Sequence, residues 1–132
     1  MNKPIALAAT MVAIVATPVL AQQERTERVQ FARGAASKAI SGTIRGYAGV
    51  NYVVGARAGQ VMHATLQTSN ASAYFNVWAP GAEEAMFVGS TTGNRFSATL
   101  PADGDYRVQV YLMRNAARRN ERANYTLTVG VR

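Results

Sequence analysis

Apolar and polar residues alternate with a period of two along much of this chain. The alternation is clearest from Asp105 to Met113 and from Asn124 to Val131. Because successive side chains of a strand point to opposite faces, this pattern is typical of half-buried β-strands. Shorter stretches of the same kind predict seven earlier strands: Val29 to Ala32, Ala39 to Tyr47, Asn51 to Ala56, Val61 to Gln67, Ala73 to Trp78, Ala85 to Gly89 and Arg95 to Leu100.

Turn signals rich in Gly, Pro, Asn and Asp separate these strands, for example at 79–81, 91–94 and 101–104. Such residues favour chain reversal, because Gly supplies a positive φ and Pro fixes φ. No useful stretch has the 3.6-residue period of a helix. The sequence therefore predicts an all-β fold, a small antiparallel β-sandwich of about eight or nine short strands. Residues 24–28 are polar and charged, and they are predicted to form a loose leader.

The alternation also predicts which side chains face the core. Large apolar residues recur at every second position of the last two strands and at single positions of the others. The predicted core comprises Leu66, Phe75, Val77, Phe87, Phe96, Leu100, Tyr106, Val108, Val110, Leu112, Tyr125, Leu127, Val129 and Val131.

The N-terminal segment has the features of a secretory signal peptide. Lys3 gives a positive start, Ile5 to Ala16 is apolar apart from Thr10, and Val19-Leu20-Ala21 offers small residues for cleavage before Gln22. The apolar run is shorter than the ~20 residues of a membrane-spanning helix. We expect residues 1–21 to be removed and residues 22–132 to form one exported periplasmic domain.

Charge and cysteine content narrow the function classes. Removing Lys3 leaves 13 Lys and Arg against 7 Asp and Glu, a net charge of +6. Such a charge suits nucleic acid, anionic lipid or an acidic protein cleft, and export makes nucleic acid the least expected partner. The chain has no cysteine. We therefore expect no disulfide, no thiol chemistry and no lipid anchor on the exported chain.

Few residues suit catalysis or metal binding. His63 is the single histidine, and its strand context predicts a residue exposed on one sheet face. Asp103-Gly104-Asp105 resembles part of a calcium loop but lacks enough ligands, so a turn after Pro101 is the better interpretation. No nucleophile motif or phosphate loop is present. We expect neither an enzyme nor a bound cofactor or metal.

The connection between the last two strands, 113–122, carries the most informative chemistry. It contains Arg114, Arg118, Arg119 and Arg122 and has no glycine or proline. Arginine forks grip carboxylates or phosphates with two hydrogen bonds. A helical turn here, favoured by the alanines at 116–117, would stack positions 114 and 118 on one face. The alternative is a solvated connection whose charges only maintain solubility.

The mature chain resembles the periplasmic inhibitors of g-type lysozyme of Gram-negative bacteria. The resemblance rests on short segments spread over nearly all of residues 22–132. Most are scaffold and turn signals that other secreted β-sandwiches share loosely, whereas an Arg-Asn-x-Ala-Arg loop is more specific to the family. The segments are Val29-Gln30-Phe31-Ala32-Arg33-Gly34, Ser41-Gly42-Thr43-Ile44-Arg45-Gly46-Tyr47, Ala58-Gly59-Gln60, Leu100-Pro101-Ala102-Asp103-Gly104-Asp105-Tyr106 and Arg114-Asn115-Ala116-Ala117-Arg118.

This resemblance implies a β-sandwich that inserts loops into the substrate cleft of a g-type lysozyme. Carried over by position, Arg114, Asn115 and Arg118 would contact the enzyme, with Arg119 as an addition and Tyr47 as a weaker one. Catalysis would stop because the cleft is occluded.

Two other functions fit the same sequence. A secreted module could hold anionic glycan, peptidoglycan or lipid headgroups through the same arginines, or the protein could regulate an endogenous lytic transglycosylase. A glycan module usually exposes a row of aromatic side chains. Here Tyr52, Tyr74, Trp78 and Tyr111 are predicted to be scattered.

Overall fold

The computed structural model describes residues 24–132, in which the alternating segments form two sheets. The predicted signal peptide, residues 1–21, lies outside the described residues. The described part contains nine strands and two short helices: β1 Arg25–Arg28, β2 Ser37–Arg45, β3 Val50–Ala56, β4 Val61–Thr68, β5 Ala73–Trp78, β6 Phe87–Val88, α1 Gly89–Thr92, β7 Arg95–Thr99, β8 Gly104–Leu112, α2 Arg114–Arg118 and β9 Arg122–Val131.

The two sheets pack face to face around one core. Five strands form the first sheet in the order β1-β3-β8-β5-β6, and four form the second in the order β2-β9-β4-β7. Because β8 and β9 lie in different sheets, the connection that contains α2 crosses from one sheet to the other. The predicted all-β sandwich is confirmed.

The predicted core is also confirmed, with one partial exception. Every second residue of β8, from Tyr106 to Leu112, is buried, and β9 follows the same rule. Val131, at the end of β9, is only partly buried and packs against the edge of the core. Burying large apolar side chains contributes ~1.5–3 kcal/mol each before conformational entropy is subtracted.

The N-terminal segment differs from the prediction. Residues 24–28 are not a loose leader, since Arg25–Arg28 form β1, which pairs with β3 in parallel. The sheet is therefore mixed rather than wholly antiparallel. Val29 to Ala32 is not a strand, although Val29 is buried and its N–H donates to Val53 O over 2.8 Å. A four-residue edge strand with only polar side chains lacks the apolar alternation that would reveal it.

A tyrosine pair joins the two sheets inside the core. Tyr52 of β3 and Tyr125 of β9 share a hydrogen bond between their hydroxyls, with the oxygens 2.5 Å apart. Gly42 of β2 lacks the side chain that would occupy the space of the Tyr125 ring. Burial raises the pKa of both tyrosines. Tyr52 is therefore a core residue and is not available to a surface ligand.

Among residues 24–132, no helix is long and apolar enough to cross a membrane.

Candidate functional site

Helix α2 is anchored in the core by two alanines. Ala116 and Ala117 are buried, whereas Arg114, Asn115 and Arg118 are exposed. Ala is the best helix former, and its small side chain lets the helix lie directly on the sandwich. The helical turn predicted for this connection is confirmed. One side of the turn is fixed in the core, and the other presents two arginines and an asparagine to solvent.

The guanidinium groups of Arg114 and Arg118 have no acidic partner within residues 24–132. The three ion pairs of the described chain are Arg25–Glu27, Arg28–Asp105 and Arg119–Glu121. In a helix, residues four apart are neighbours on one face. Positions 114 and 118 therefore share one side of α2, and neither guanidinium forms an ion pair within residues 24–132.

A left-handed asparagine ends α2. Asn120 has a φ of 56° and is the only residue other than glycine with a positive φ in the described chain. The N–H of Asn120 donates to Ala117 O over 2.9 Å, and that of Glu121 donates to Ala116 O over 3.1 Å. This pair of bonds is the Schellman motif, which satisfies carbonyls at a helix C-terminus. Asparagine thus performs the reversal that glycine performs in most such ends.

The β2–β3 turn packs against this end of α2. Gly46 donates its N–H to Glu121 O over 2.9 Å, and a Cβ at position 46 would lie 2.8 Å from Asn120 Oδ1. Gly46 has a positive φ of 59°, a conformation that residues with a Cβ rarely adopt, so the backbone of this turn favours glycine. Tyr47 follows at the tip of the turn with 49% of its surface exposed. The fold therefore brings Tyr47 to the same end of the sandwich as α2.

The β4–β5 turn holds the segment after α2 from the other side. Asn70 Nδ2 donates to Glu121 Oε1 over 3.0 Å and to the carbonyl of Arg122 over 3.1 Å. Arg119 binds Glu121 Oε2 at 2.7 Å. Two hydrogen bonds lower the pKa of the Glu121 carboxyl, the one from Asn70 having the larger effect and the one from Arg119 the smaller. The α2 connection is thus clamped between two turns.

The structure brings all five predicted contact residues to one end of the molecule, but their environments differ. Arg114, Asn115 and Arg118 form the exposed face of α2, and Tyr47 lies on the adjoining turn. Arg119 is already paired with Glu121, which makes it the least available of the arginines. Their role as contacts stays a prediction.

Sequence reasoning missed the residues that hold α2 in place, namely Gly46, Asn70, Asn120 and Glu121. Asn120 left a usable signal, since asparagine is the commonest substitute for glycine in the left-handed region. The contacts of Gly46 and Asn70 join residues 51 to 75 positions apart in sequence, so no local pattern indicates them.

The polar residues considered above for catalysis or metal binding have structural roles. Asp103 Oδ1 accepts the Ala58 N–H at 2.7 Å, and Asp105 binds both nitrogens of the Arg28 fork at 2.8 and 3.2 Å. His63 is half-buried, and its imidazole occupies the space above Gly130. In the part of the chain that the structure describes, no three His, Asp or Glu residues form a possible metal site.

The aromatic residues predicted to be scattered are partly gathered. Tyr74 and Trp78 of β5 lie opposite Tyr111 and Arg107 of β8 in the strand register. All three aromatic rings lie on the outer face of the five-stranded sheet, and the Arg107 guanidinium is 4.2 Å from the centre of the Trp78 ring. Of the four aromatic candidates, only Tyr52 is in the core.

Known proteins resemble this chain over most of its length. The crystal structure of a periplasmic inhibitor of g-type lysozyme from Aeromonas hydrophila is 38% identical, with a TM-score of 0.76, over 83% of this chain and 98% of that one. The chain belongs to the family of periplasmic inhibitors of g-type lysozyme. The chain matches no family model.

Two further members of the family support this assignment. The inhibitor from Salmonella Typhimurium is 29% identical, with a TM-score of 0.67, over 82% of this chain and 98% of that one. The inhibitor of g-type lysozyme from Escherichia coli is 29% identical over 107 residues, 79% of each chain. A pre-peptidase C-terminal domain of a Bacillus anthracis collagenase shares only the fold, at 14% identity and a TM-score of 0.53.

Proposed function

We propose that this protein is a periplasmic inhibitor that occludes the substrate cleft of a g-type lysozyme with helix α2. One observation carries the proposal. Arg114, Asn115 and Arg118 project from a helical turn whose opposite side is buried, and neither arginine has an acidic partner in the described chain. The membership of the family, whose solved members are described as periplasmic inhibitors of g-type lysozyme, supports it.

The chemistry of the target explains the use of arginine. Glycoside hydrolysis requires a carboxyl group as general acid, so a lysozyme cleft contains carboxylates beside the scissile bond. A guanidinium fork forms charge-assisted hydrogen bonds with a carboxylate and displaces water from it. Central desolvated arginines are frequent hot spots of protein interfaces. Inhibition then needs no covalent step and no catalysis by the inhibitor.

The clamps on α2 lower the cost of binding. A flexible loop would lose backbone conformational entropy on entering a cleft, at roughly 1–2 kcal/mol for each residue whose backbone is fixed. Here the backbone is already ordered by the Ala116–Ala117 anchor, the left-handed Asn120 and the contacts of Gly46 and Asn70. Only the exposed side chains still have to be fixed.

Neighbouring arginines strengthen the positive field at this end. Arg45 and Arg122 face each other across the β2–β9 pair, immediately beside α2, and both are exposed. Like charges directly opposite on paired strands are destabilising, so the fold gains nothing from this pair. An acidic cleft would gain from it, because the arginines attract its carboxylates at short range.

The contact residues have graded roles in this proposal. Arg114 and Arg118 bind the cleft carboxylates, and Asn115, which can donate and accept, bonds polar groups beside them. Tyr47 packs at the rim, where an exposed aromatic ring contributes apolar contact and a hydroxyl. Arg119 contributes least, since Glu121 already holds its guanidinium.

The test is lysis of bacterial cell walls, followed by turbidity, with g-, c- and i-type lysozymes in separate reactions. We expect residues 22–132 to slow the g-type enzyme and to leave the other two unchanged. Arg57→Ala is the matched control variant, because Arg57 is also exposed but lies at the opposite end of the sandwich. Equal lysis by the g-type enzyme with and without the protein would overturn the proposal.

A further inference from the structure

An open groove crosses the outer face of the five-stranded sheet beside α2. Its volume is about 360 Å³, within the ~300–1,000 Å³ of ligand clefts. We propose that this groove, here called the sheet groove, binds an oligosaccharide of N-acetylated sugars. The side chains that would recognise the sugar are Glu24, Tyr47, Asn76, Trp78, Gln109 and Tyr111. The proposal goes beyond lysozyme inhibition and does not use the arginines of α2.

The apolar part of recognition comes from aromatic rings. Trp78 and Tyr111 lie on the neighbouring strands β5 and β8, and both are half-buried. The Arg107 guanidinium lies over one face of the indole, 4.2 Å from the ring centre, and so leaves the opposite face and the Tyr111 ring for a sugar. A sugar ring has an apolar C–H face that stacks on such flat rings, while the Tyr hydroxyl and Trp N–H remain available as polar handles.

The polar part comes from side chains that are already ordered. Asn51 Nδ2 and Gln109 Nε2 hold the two carboxylate oxygens of Glu24, at 3.0 and 2.5 Å. Asn76 Oδ1 accepts from the Tyr111 hydroxyl at 3.2 Å. The hydrogen bonds within residues 24–132 leave Asn76 Nδ2 and Gln109 Oε1 without partners. An amide donor and an amide acceptor therefore point to a ligand that offers both, as hydroxyls and acetamido groups do.

The charge of the groove favours this ligand over the alternatives. Its one carboxylate, Glu24, would repel phosphates and carboxylates, and the adjoining Arg107 is already engaged on the ring of Trp78. A purely apolar ligand would displace water from the side-chain amides of Asn76 and Gln109 without forming hydrogen bonds to them. Burying polar groups without hydrogen bonds is unfavourable. A neutral, hydroxyl-rich molecule is not repelled by Glu24 and can form hydrogen bonds with the amides. The groove on the other sheet, lined by Ser41, Thr43, Gln67 and Thr126, has no comparable exposed aromatic platform.

Trp78 provides a direct readout, because it is the only tryptophan of the chain. We would titrate residues 22–132 with tetra-N-acetylchitotetraose, which is neutral, and, separately, with a wall fragment of alternating N-acetylglucosamine and N-acetylmuramic acid, whose lactyl carboxylates Glu24 would repel. The neutral sugar should bind more tightly. The expected result is a saturable change in tryptophan emission. Tyr111→Ala should raise the half-saturating concentration roughly tenfold, because it removes a stacking ring. Gln109→Ala should weaken binding as well, and Gln67→Ala, on the other sheet, should not.

The same variants are then assayed against the g-type lysozyme. Sugar binding that is weakened by Tyr111→Ala, together with unchanged lysozyme inhibition, supports the sheet groove as a glycan site. A response to tetra-N-acetylchitotetraose alone also supports the proposal, whereas a response to the wall fragment alone overturns the choice of a neutral ligand. Absence of a saturable emission change with both sugars overturns the proposal. The proposal is also overturned if Tyr111→Ala and Gln109→Ala lose lysozyme inhibition while the parent shows no response to either sugar. The sheet groove would then be a contact surface for the lysozyme. Failure of the lysozyme assay for the parent protein leaves the sugar titration as an independent result.

Discussion

Arginine occupies two contrasting environments in this molecule. Near the end of the sandwich opposite α2, both nitrogens of the Arg28 fork bind Asp105, at 2.8 and 3.2 Å. On α2, Arg114 and Arg118 have the same exposed setting but no acidic partner among residues 24–132. The difference lies in the neighbours. β3 and β8 place Arg28 next to the carboxylate of Asp105, whereas the carboxylate that follows α2, Glu121, is already bonded by Asn70 and Arg119.

This contrast separates an arginine that serves the fold from one that is free to bind. The Arg28 guanidinium lowers the pKa of Asp105, so the pair is satisfied within the protein. Satisfied charges have little to gain from a partner, whereas an unpaired fork gains its hydrogen bonds only when a partner arrives. Substitutions at the two ends should therefore differ in their effects on stability and on inhibition.

The largest effect should come from the buried base of α2. Ala116→Asp places a carboxylate at a position with no exposed surface. We expect a loss of at least ~3 kcal/mol of unfolding free energy, because an unpaired buried charge is poorly tolerated. Inhibition should disappear with it. Thermal unfolding compares this variant with Ala36→Asp, in which the alanine is exposed; equal stability of the two would show that α2 is not anchored in the core.

The exposed face of α2 should show the opposite behaviour. Arg114→Ala and Arg118→Ala should each weaken lysozyme binding by about 2–4 kcal/mol, the range for truncating a hot-spot arginine. Unfolding free energy should change by no more than ~0.5 kcal/mol, as for other surface substitutions. The double variant should lose less than the sum, because both forks meet one carboxylate cluster.

Inhibition constants and melting temperatures, measured on the same preparations, check this prediction. Arg57→Ala serves as the control and should inhibit like the parent protein. If Arg114→Ala and Arg118→Ala also inhibit like the parent, the connection is only a solvated loop.

The helical turn itself was predictable, but its support was not. The strong alternation of the two flanking strands marked the ends of the connection, and the alanines at 116–117 favoured a helical turn within it. The clamp depends on Gly46 and Asn70, which meet the loop only through the three-dimensional fold. Single-sequence patterns carry local preferences and so leave such distant contacts unspecified.

The edge strand β1 was missed for a related reason. Arg25–Arg28 has no apolar side chain, and its strand conformation depends on parallel pairing with β3. The predicted strand from Val29 to Ala32 was wrong because Val29 and Phe31 pack against the core without entering a sheet. By contrast, β5 begins and ends at its predicted residues, since Ala73–Trp78 alternates cleanly between buried and half-buried positions.

The left-handed end of α2 should give a moderate effect. Asn120→Ala forces an ordinary residue to keep a φ near 56°. We expect a loss of about 1–2 kcal/mol in unfolding free energy, the cost of a left-handed conformation for residues with a Cβ. Asn120→Gly should lose less, because glycine adopts this conformation freely. If the alanine and glycine variants melt at the same temperature, the left-handed φ at position 120 does not contribute to stability.

The clamp residue Glu121 should make stability depend on pH. Its pKa is lowered in the folded protein, so the stabilisation it gives is present above its ordinary pKa of about 4.5 and is lost as pH falls through the lowered value. The parent should therefore melt above Glu121→Gln at pH 7, and the difference should shrink under acid conditions. Melting curves at several pH values test this; a difference that grows as pH falls would contradict the sign.

The smallest effect should come from the satisfied arginine. Arg28→Ala removes an exposed ion pair with Asp105, and such pairs contribute little to stability. We expect a slight fall in melting temperature and no change in the inhibition constant. If Arg28→Ala loses as much inhibition as Arg118→Ala, ion pairing within the protein does not determine which arginines bind the lysozyme.

The central claim is that the α2 arginines meet the catalytic carboxylate of the lysozyme. A double-mutant cycle tests it directly: affinities are measured for the parent and Arg118→Ala, each against the native enzyme and a variant with its general-acid carboxylate changed to the amide. We predict a coupling energy of at least ~1.5 kcal/mol, the lower end for close charge pairs across an interface. Additive losses, with coupling near zero, would contradict the account and place Arg118 outside the catalytic centre.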